Sequence, residues 1–184
     1  MSSAHGSSPS RERVVNSYLF CQIVSIDKDG NRIPVKQPPR DGTTLGASIE
    51  ITKNLERDQA LSHFPAIDGF AKHHMIPISV AEKFPVMRLA ARDSNYNINR
   101  TQNLIHLPKT RELAITSNLP LHTGDHLDTY YDYVTKALGV LQKDFDRGNI
   151  KKADLLTAIE KIEKTIEYRL VNRQIKLQTN DPHY

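Results

Sequence analysis

Two adjacent histidines, His73 and His74, close an apolar-to-polar run and are followed by Met75-Ile76-Pro77. Downstream come Asn103, at the head of Asn-Leu-Ile-His-Leu-Pro (103–108), and the segment His122-Thr-Gly-Asp-His126. Imidazole can ligate a first-row metal ion and can also exchange a proton near neutral pH. In an extended segment neighbouring side chains point to opposite faces, so His73 and His74 do not easily share one ion. They could divide the labour instead, one coordinating metal while the other faces a substrate water. That division suits hydrolysis of a phosphodiester. A spacing of four puts His122 and His126 about one turn apart on a helix face, where both rings can reach one ion. Thr123 could cap a helix beginning at Gly124, which would leave His122 just outside it. The Asn103 amide cannot act as a base, but it can orient one or hold the loop that carries it.

Each of these residues also has a plainer reading. His122 and His126 could be surface histidines near a helix start, His73-His74 a polar strand end, and Asn103 an ordinary opening of a hairpin strand. His106 lies two residues from Leu104, on the same strand face, and reads as structural. Arg88, Arg92, Arg100, Lys109 and Arg111 flank the histidines in sequence. They could neutralise backbone phosphates without reading bases, with Arg100, Lys109 and Arg111 the candidate substrate-binding residues. A solvated basic surface is the alternative for each.

The elements that must position these residues follow from periodicity. Val14–Ile26 is rich in β-branched and aromatic residues and is bounded by Asp-Lys-Asp-Gly-Asn at 27–31, a strand followed by a turn. Prolines and glycines mark 34–46 as an extended loop, 49–52 reads as a short strand, and Asp58–Phe64 as a helical turn closed by Pro65. Gly69–Pro77 is expected to be extended, because Pro77 disfavours helix in the residue before it. Ser79 and Glu82 have capping-box spacing for a helix over 79–84, which Pro85 then stops or bends, and 86–91 is a further short helix. The segment 93–99 is a polar turn and 103–108 a short strand. From about Gly124, Leu127, Tyr130, Tyr131, Val134, Leu138 and Leu141 recur at helical steps until Arg147-Gly-Asn149. A second helix over 152–177 carries Leu155, Ile159, Ile162, Ile166, Leu170 and Val171 on one face, and the two should form a hairpin.

The chain has 184 residues, of which 38% are hydrophobic and 25% charged, enough for one domain with a core. No apolar run reaches the roughly 18–20 residues that a membrane-spanning helix needs. Residues 1–13 are polar and Ser-rich, without a signal-peptide apolar region, and read as a disordered leader or linker. The single Cys21 cannot form an internal disulfide and reads as a small core residue. A net charge of +4 is compatible with a nucleic-acid partner. Trp is absent, and no stacking platform for single strands is evident.

In order and spacing, His-His-Met-Ile-Pro, Asn-Leu-Ile-His-Leu-Pro and Leu-His-Thr-Gly-Asp-His-Leu-Asp-Thr-Tyr-Tyr-Asp-Tyr-Val resemble the HNH nuclease superfamily. Within it they are similar to the AHH/LHH branch of bacterial polymorphic toxin nucleases, over about residues 70–135, with Lys72 where that name has Ala. The resemblance implies a ββα-metal, HNH-like core. Together with the residue patterns it gives an α+β fold, with an HNH-like domain at 14–148 that includes an N-terminal β-rich segment, and a helical C-terminal half whose helix at 149–184 packs on the domain. The N-terminal part and this last helix have no counterpart in the family pattern. The resemblance also implies His73, His122 and His126 as ligands of a divalent metal ion (Zn, Ni, Mg or Mn), His74 as general base and Asn103 as its orienting partner. The implied activity is a nonspecific endonuclease, with DNA favoured over RNA. It would be the toxin domain of an antibacterial effector, delivered into a target bacterial cell to act in its cytoplasm, with a cognate immunity protein and no membrane partner. Two other readings compete: a noncatalytic zinc-stabilised binding module and a helical interaction protein with incidental histidines. Structural zinc sites are usually closed by four ligands and rich in Cys, which a single distant Cys21 does not favour.

Overall fold

The computed structural model describes residues 24–26, 32–34, 61–124 and 126–184. Expectations for the leader at 1–13, Cys21, the strand before Val24, the turn at 27–31, the loop from 35 to 46 and the strand at 49–52 lie outside these residues. The chain divides into two compact units, 1–34 and 35–184. In the first, β1 (Val24–Ile26) pairs antiparallel with β2 (Arg32–Pro34), with Ser25 opposite Ile33. Sequence punctuation assigns Pro34 to a loop; a proline, which cannot donate to a ladder, is tolerated where a strand ends.

In the second unit, β3 (Phe70–His74) pairs antiparallel with β4 (Leu104–Pro108), in a register that sets Lys72 opposite His106, His73 opposite Ile105 and His74 opposite Leu104. Gly69 enters β3 at φ +76°, and a Cβ there would collide with the Leu113 side chain, so this turn needs glycine. Between the strands lie α1 (Ile78–Ala81), α2 (Pro85–Asp93) and a 3-10 turn, Thr101–Asn103. After β4 come α3 (Arg111–Ser117), α4 (Asp128–Asp146), a 3-10 turn at Lys152–Asp154, and α5 (Leu155–Val171).

Several local expectations are corrected. Ser79 does not cap α1: the N-cap is Pro77, without a side-chain hydrogen bond, and Glu82 sits at the C-cap. Pro85 starts α2, where its missing N–H is no loss. The segment 93–99 is not simply a polar turn, since Tyr96 and Ile98 are fully buried beneath it. Helix α3, capped by Thr110, was not anticipated; only Ala114 among its residues is buried, so it lacks a full apolar stripe. α4 begins at Asp128, not Gly124, and α5 ends at Val171. Between them Gly148, at φ +75°, closes α4 as the Asn149 N–H bonds to the Asp144 carbonyl, the glycine-dependent helix end that Arg147-Gly-Asn149 suggests.

The core sits between α4, α5 and the β3–α2 region. α4 contributes Tyr130, Val134, Leu138 and Leu141, and α5 contributes Leu155, Ile159, Ile166 and Leu170. The α5 stripe departs from expectation at one turn, where Ile162 is half-buried and Glu163 takes the inward position at 1% exposure. Tyr96 and Arg100 face this carboxylate, with Arg100 Nε 3.9 Å from Glu163 Oε2. Burial is the main cause that raises the Glu163 carboxyl to about 7, only partly offset by Arg100.

Ile159→Ala should cost about 2–5 kcal/mol in chemical denaturation, and Ile162→Ala clearly less. A carboxyl whose folded pKa is raised contributes stability that is full below its unfolded value of 4.5 and is lost as pH climbs through about 7. The stability of Glu163→Gln relative to the parent should therefore rise by roughly 2–3 kcal/mol from pH 5 to pH 8, since a tenfold difference in proton affinity is worth about 1.4 kcal/mol. Urea unfolding of both proteins at the two pH values checks the sign and the size.

Candidate metal and catalytic site

His73 and His74 end β3, and strand alternation sends them to opposite faces. His73 shares its face with Ile105 and Leu107, toward α4. His74 shares its face with Leu104, which clusters with Leu61 and Phe64. His122 and His126 lie in the loop 119–127, ahead of α4. They do not stand on a common helix face, and Thr123 does not cap α4, whose N-cap is Leu127. The loop is held to the end of β4 by the His122 N–H donating to the Pro108 carbonyl at 2.8 Å.

The loop nevertheless brings both rings to His73. The His73 ring centroid lies 4.8 Å from that of His122 and 4.8 Å from that of His126, and the two loop rings are 5.1 Å apart. One nitrogen from each ring lies within 4.8 Å of the others. Tetrahedral ligands at zinc–nitrogen distances stand about 3.3 Å apart, so small ring rotations suffice to close the three on one ion. His73 and His122 are buried and His126 is half-buried.

Tyr130, fully buried on the first turn of α4, orients the group. Its hydroxyl donates to the Met75 carbonyl at 2.7 Å and lies 3.1 Å from His73 Nε2. With that proton committed, the oxygen accepts from His73 Nε2–H, which leaves Nδ1 with the lone pair a metal needs. Burial holds the Tyr130 phenol well above its ordinary pKa, so it stays neutral.

The amide facing His74 is not Asn103. His74 Nε2 donates to Asn99 Oδ1 at 2.9 Å, and the Asn99 carbonyl accepts from His63 Nε2 at 2.7 Å. Burial lowers the His63 pKa, with a smaller contribution from Lys72, and favours its neutral form. Asn103 takes the other role its chemistry allows. Its Oδ1 accepts from the Ile76 N–H at 2.7 Å, and its Nδ2 donates to the carbonyls of Ile98 at 2.8 Å and Ile76 at 3.3 Å. It pins the turn after β3 to the approach to β4. Asn99, Tyr130 and His63 were missed as site residues. The run Asn-Tyr-Asn-Ile-Asn at 95–99 was the signal for Asn99, since three amides around two apolar residues satisfy polar groups close to a core.

The basic residues divide. Arg100 is not available to a phosphate: its buried guanidinium donates to Glu160 at 2.5 Å and stands near Glu163, because the turn it opens is packed on α5. Arg92 is occupied with Asp93 at 2.9 Å. Arg88 is exposed, and donates to the Glu82 carbonyl at 3.3 Å. Lys109 and Arg111 are exposed. Lys109 borders a groove of about 910 Å³ whose lining includes Gly69, Phe70, Lys72 and His122. His106 stacks on Phe64 and donates to the Pro65 carbonyl at 2.7 Å.

Three imidazoles, one from β3 and two from the loop, thus converge beside His74 at the end of a two-stranded antiparallel sheet. A family model described as AHH, a nuclease family of the HNH/ENDO VII superfamily with conserved AHH, matches residues 54–166. The match spans more than half of the chain, and the chain belongs to this nuclease family. Its superfamily works on nucleic acid with divalent metal ions, and the triad here can hold one. No curated protein and no solved structure matches the chain.

Asn103→Ala should cost about 1–3 kcal/mol, the penalty of leaving the buried Ile76 N–H without an acceptor. Asn99→Ala should lower cleavage with a smaller loss of stability. Thermal denaturation and a cleavage assay on both variants separate an amide that holds the backbone from one that orients His74.

Proposed function

We propose that the chain is a metal-dependent endonuclease that hydrolyses nucleic-acid phosphodiester bonds, with β3, β4 and α4 as its ββα-metal core. The observation that carries this reading is the convergence of His73, His122 and His126 with His74 one residue away on the opposite strand face. His73, His122 and His126 would hold the ion as neutral ligands, and an ion so held would keep its full double charge to offset developing phosphate charge. Zn, Ni, Mg and Mn are the candidates, and imidazole suits the later first-row ions best.

His74 acts as the general base. With Nε2–H donated to Asn99, its Nδ1 lone pair is the acceptor for a water proton, and the fixed ring saves reorientation during the reaction. Lys109, on the groove that reaches His122, and the exposed Arg111 bind substrate backbone. Neither reads a base edge in this role, which supports cleavage without sequence preference; that DNA is cut before RNA rests on the family resemblance alone. The order of the His-His, Asn and His-x-Gly-x-His segments supports a toxin domain of an antibacterial effector. Such a domain would act in the cytoplasm of a target bacterium and be restrained by an immunity protein. Among the described residues no helix is long and apolar enough to cross a membrane.

His74→Ala should keep metal binding and fold while losing about 10²–10⁴-fold in cleavage rate. His126→Ala should weaken metal binding, with added metal restoring part of the activity. Calorimetric metal titration beside plasmid-nicking and RNA-cleavage assays tests both. Equal loss of metal in the two variants would refute the division of labour. A parent that binds one ion and cuts nothing would instead be a zinc-stabilised binding module.

A further inference from the structure

The segment 172–184 lies beyond the family match, yet it is packed against the loop that supplies two of the three triad histidines. Three backbone N–H groups of that loop are satisfied by this segment. Leu127 donates to the Leu177 carbonyl at 2.8 Å, Leu121 donates to Asp181 Oδ2 at 3.1 Å, and Thr123 donates to Gln178 Oε1 at 3.0 Å. The Thr123 hydroxyl donates to the same Gln178 oxygen at 2.7 Å. Leu177, Gln178 and Asp181 are all buried. Asp181 is itself placed by accepting from the His183 N–H, and His183 Nε2 donates to the Ala114 carbonyl on α3. Gln178, Thr179 and Asn180 also border a cleft of about 400 Å³ with His126 and Gly124.

This pattern is more specific than general packing. Thr123 follows one triad histidine directly, and Leu127 follows the other. Gly124, at φ +157°, carries no Cβ that could meet a neighbour and restrain the loop from within. A loop without internal secondary structure wanders unless its polar groups are tied elsewhere. Here the ties run to the far end of the chain.

We propose that Gln178 is a positioning residue of the metal site: its single Oε1, accepting both Thr123 protons, sets the separation of His122 and His126 before any ion arrives. This rests on the metal-site reading above. Outer partners that orient metal ligands are typically worth about 10–100-fold in affinity.

The test compares Gln178→Met, which keeps length and apolar packing but loses the acceptor, with Gln178→Glu, which keeps an acceptor oxygen. Zn²⁺ and Co²⁺ are titrated calorimetrically into the metal-stripped 184-residue chain, the visible spectrum of the Co²⁺ form is recorded, and amide exchange is followed at Thr123 and Leu127. The expected result is a loss of affinity of about 10–100-fold and an altered cobalt spectrum for Gln178→Met, with fast exchange at Thr123 and a melting temperature near the parent's, and recovery in Gln178→Glu. Parent-like affinity and exchange in Gln178→Met would overturn the proposal. Should Gln178→Met unfold, Thr123→Val removes one of the two donors from the other side and should give a smaller loss of the same kind; parent-like affinity there overturns the proposal equally. If the parent binds neither ion, the metal reading fails by itself. Loop positioning by Gln178 then stands or falls on Thr123 exchange alone.

Discussion

The two-residue period of an extended backbone is the constraint on which the site depends. It gives His73 to the face covered by α4 and His74 to the face covered by Leu61 and Phe64, which is the separation that the proposed ligand and base roles require. A slip of one residue in the β3–β4 register would exchange them. The pairing is therefore locked where it ends: the Met75 N–H donates to the Asn103 carbonyl at 2.8 Å, and the Asn103 side chain grips Ile76 from both its N–H and its carbonyl. Because Met75 and Ile76 are themselves fully buried, the register is tied to the core as well as to the ladder.

The same strand end carries the electrostatic logic. Like charges at such distances in a poorly solvated site repel strongly, so three crowded imidazoles disfavour carrying more than one positive charge among them. A metal ion of double charge would turn this crowding into attraction, and would compete with protons for the same lone pairs. Tyr130 contributes by fixing one ring's tautomer without adding charge. Asn99 does the same for His74 on the opposite face. Among the described residues the buried carboxylates serve elsewhere: Glu163 on α5, against Tyr96 and Arg100, and Asp181 under the backbone of Leu121.

The motif-bearing residues were legible because their chemistry is local in kind: histidines are few, and their spacing survives any detail of the loops. The long helices were legible through their stripes. What sequence could not reveal was the partner of each polar group. Arg100 looked like a phosphate binder because it is basic and close to the motif in sequence. It is instead an internal cation, since α5 returns across some sixty residues to meet it. Ile162 and Glu163 exchanged expected positions because a helical stripe is wider than one residue, and the buried arginine decides which neighbour turns inward. Asn103 and Asn99 are both amides within five residues. Only the geometry of the turn after β3 tells which one holds backbone and which one holds His74.

A two-stranded sheet of five-residue strands is marginal in water without something packed against it. Here each of its supports reaches it from a different distance along the chain. α4 covers the His73 face directly through Tyr130. α5 acts one step removed, because its Glu160 and Glu163 hold Arg100, which opens the 3-10 turn ending at Asn103. The segment 172–184 acts on the loop before α4. Local strand pairing sets which way each histidine points, but long-range contacts set how far apart they stand. Closing contacts over such separations has an entropic cost that grows only slowly with the length of chain between them. Support from 172–184, outside the family match, can therefore reach the histidine loop at little extra entropic cost.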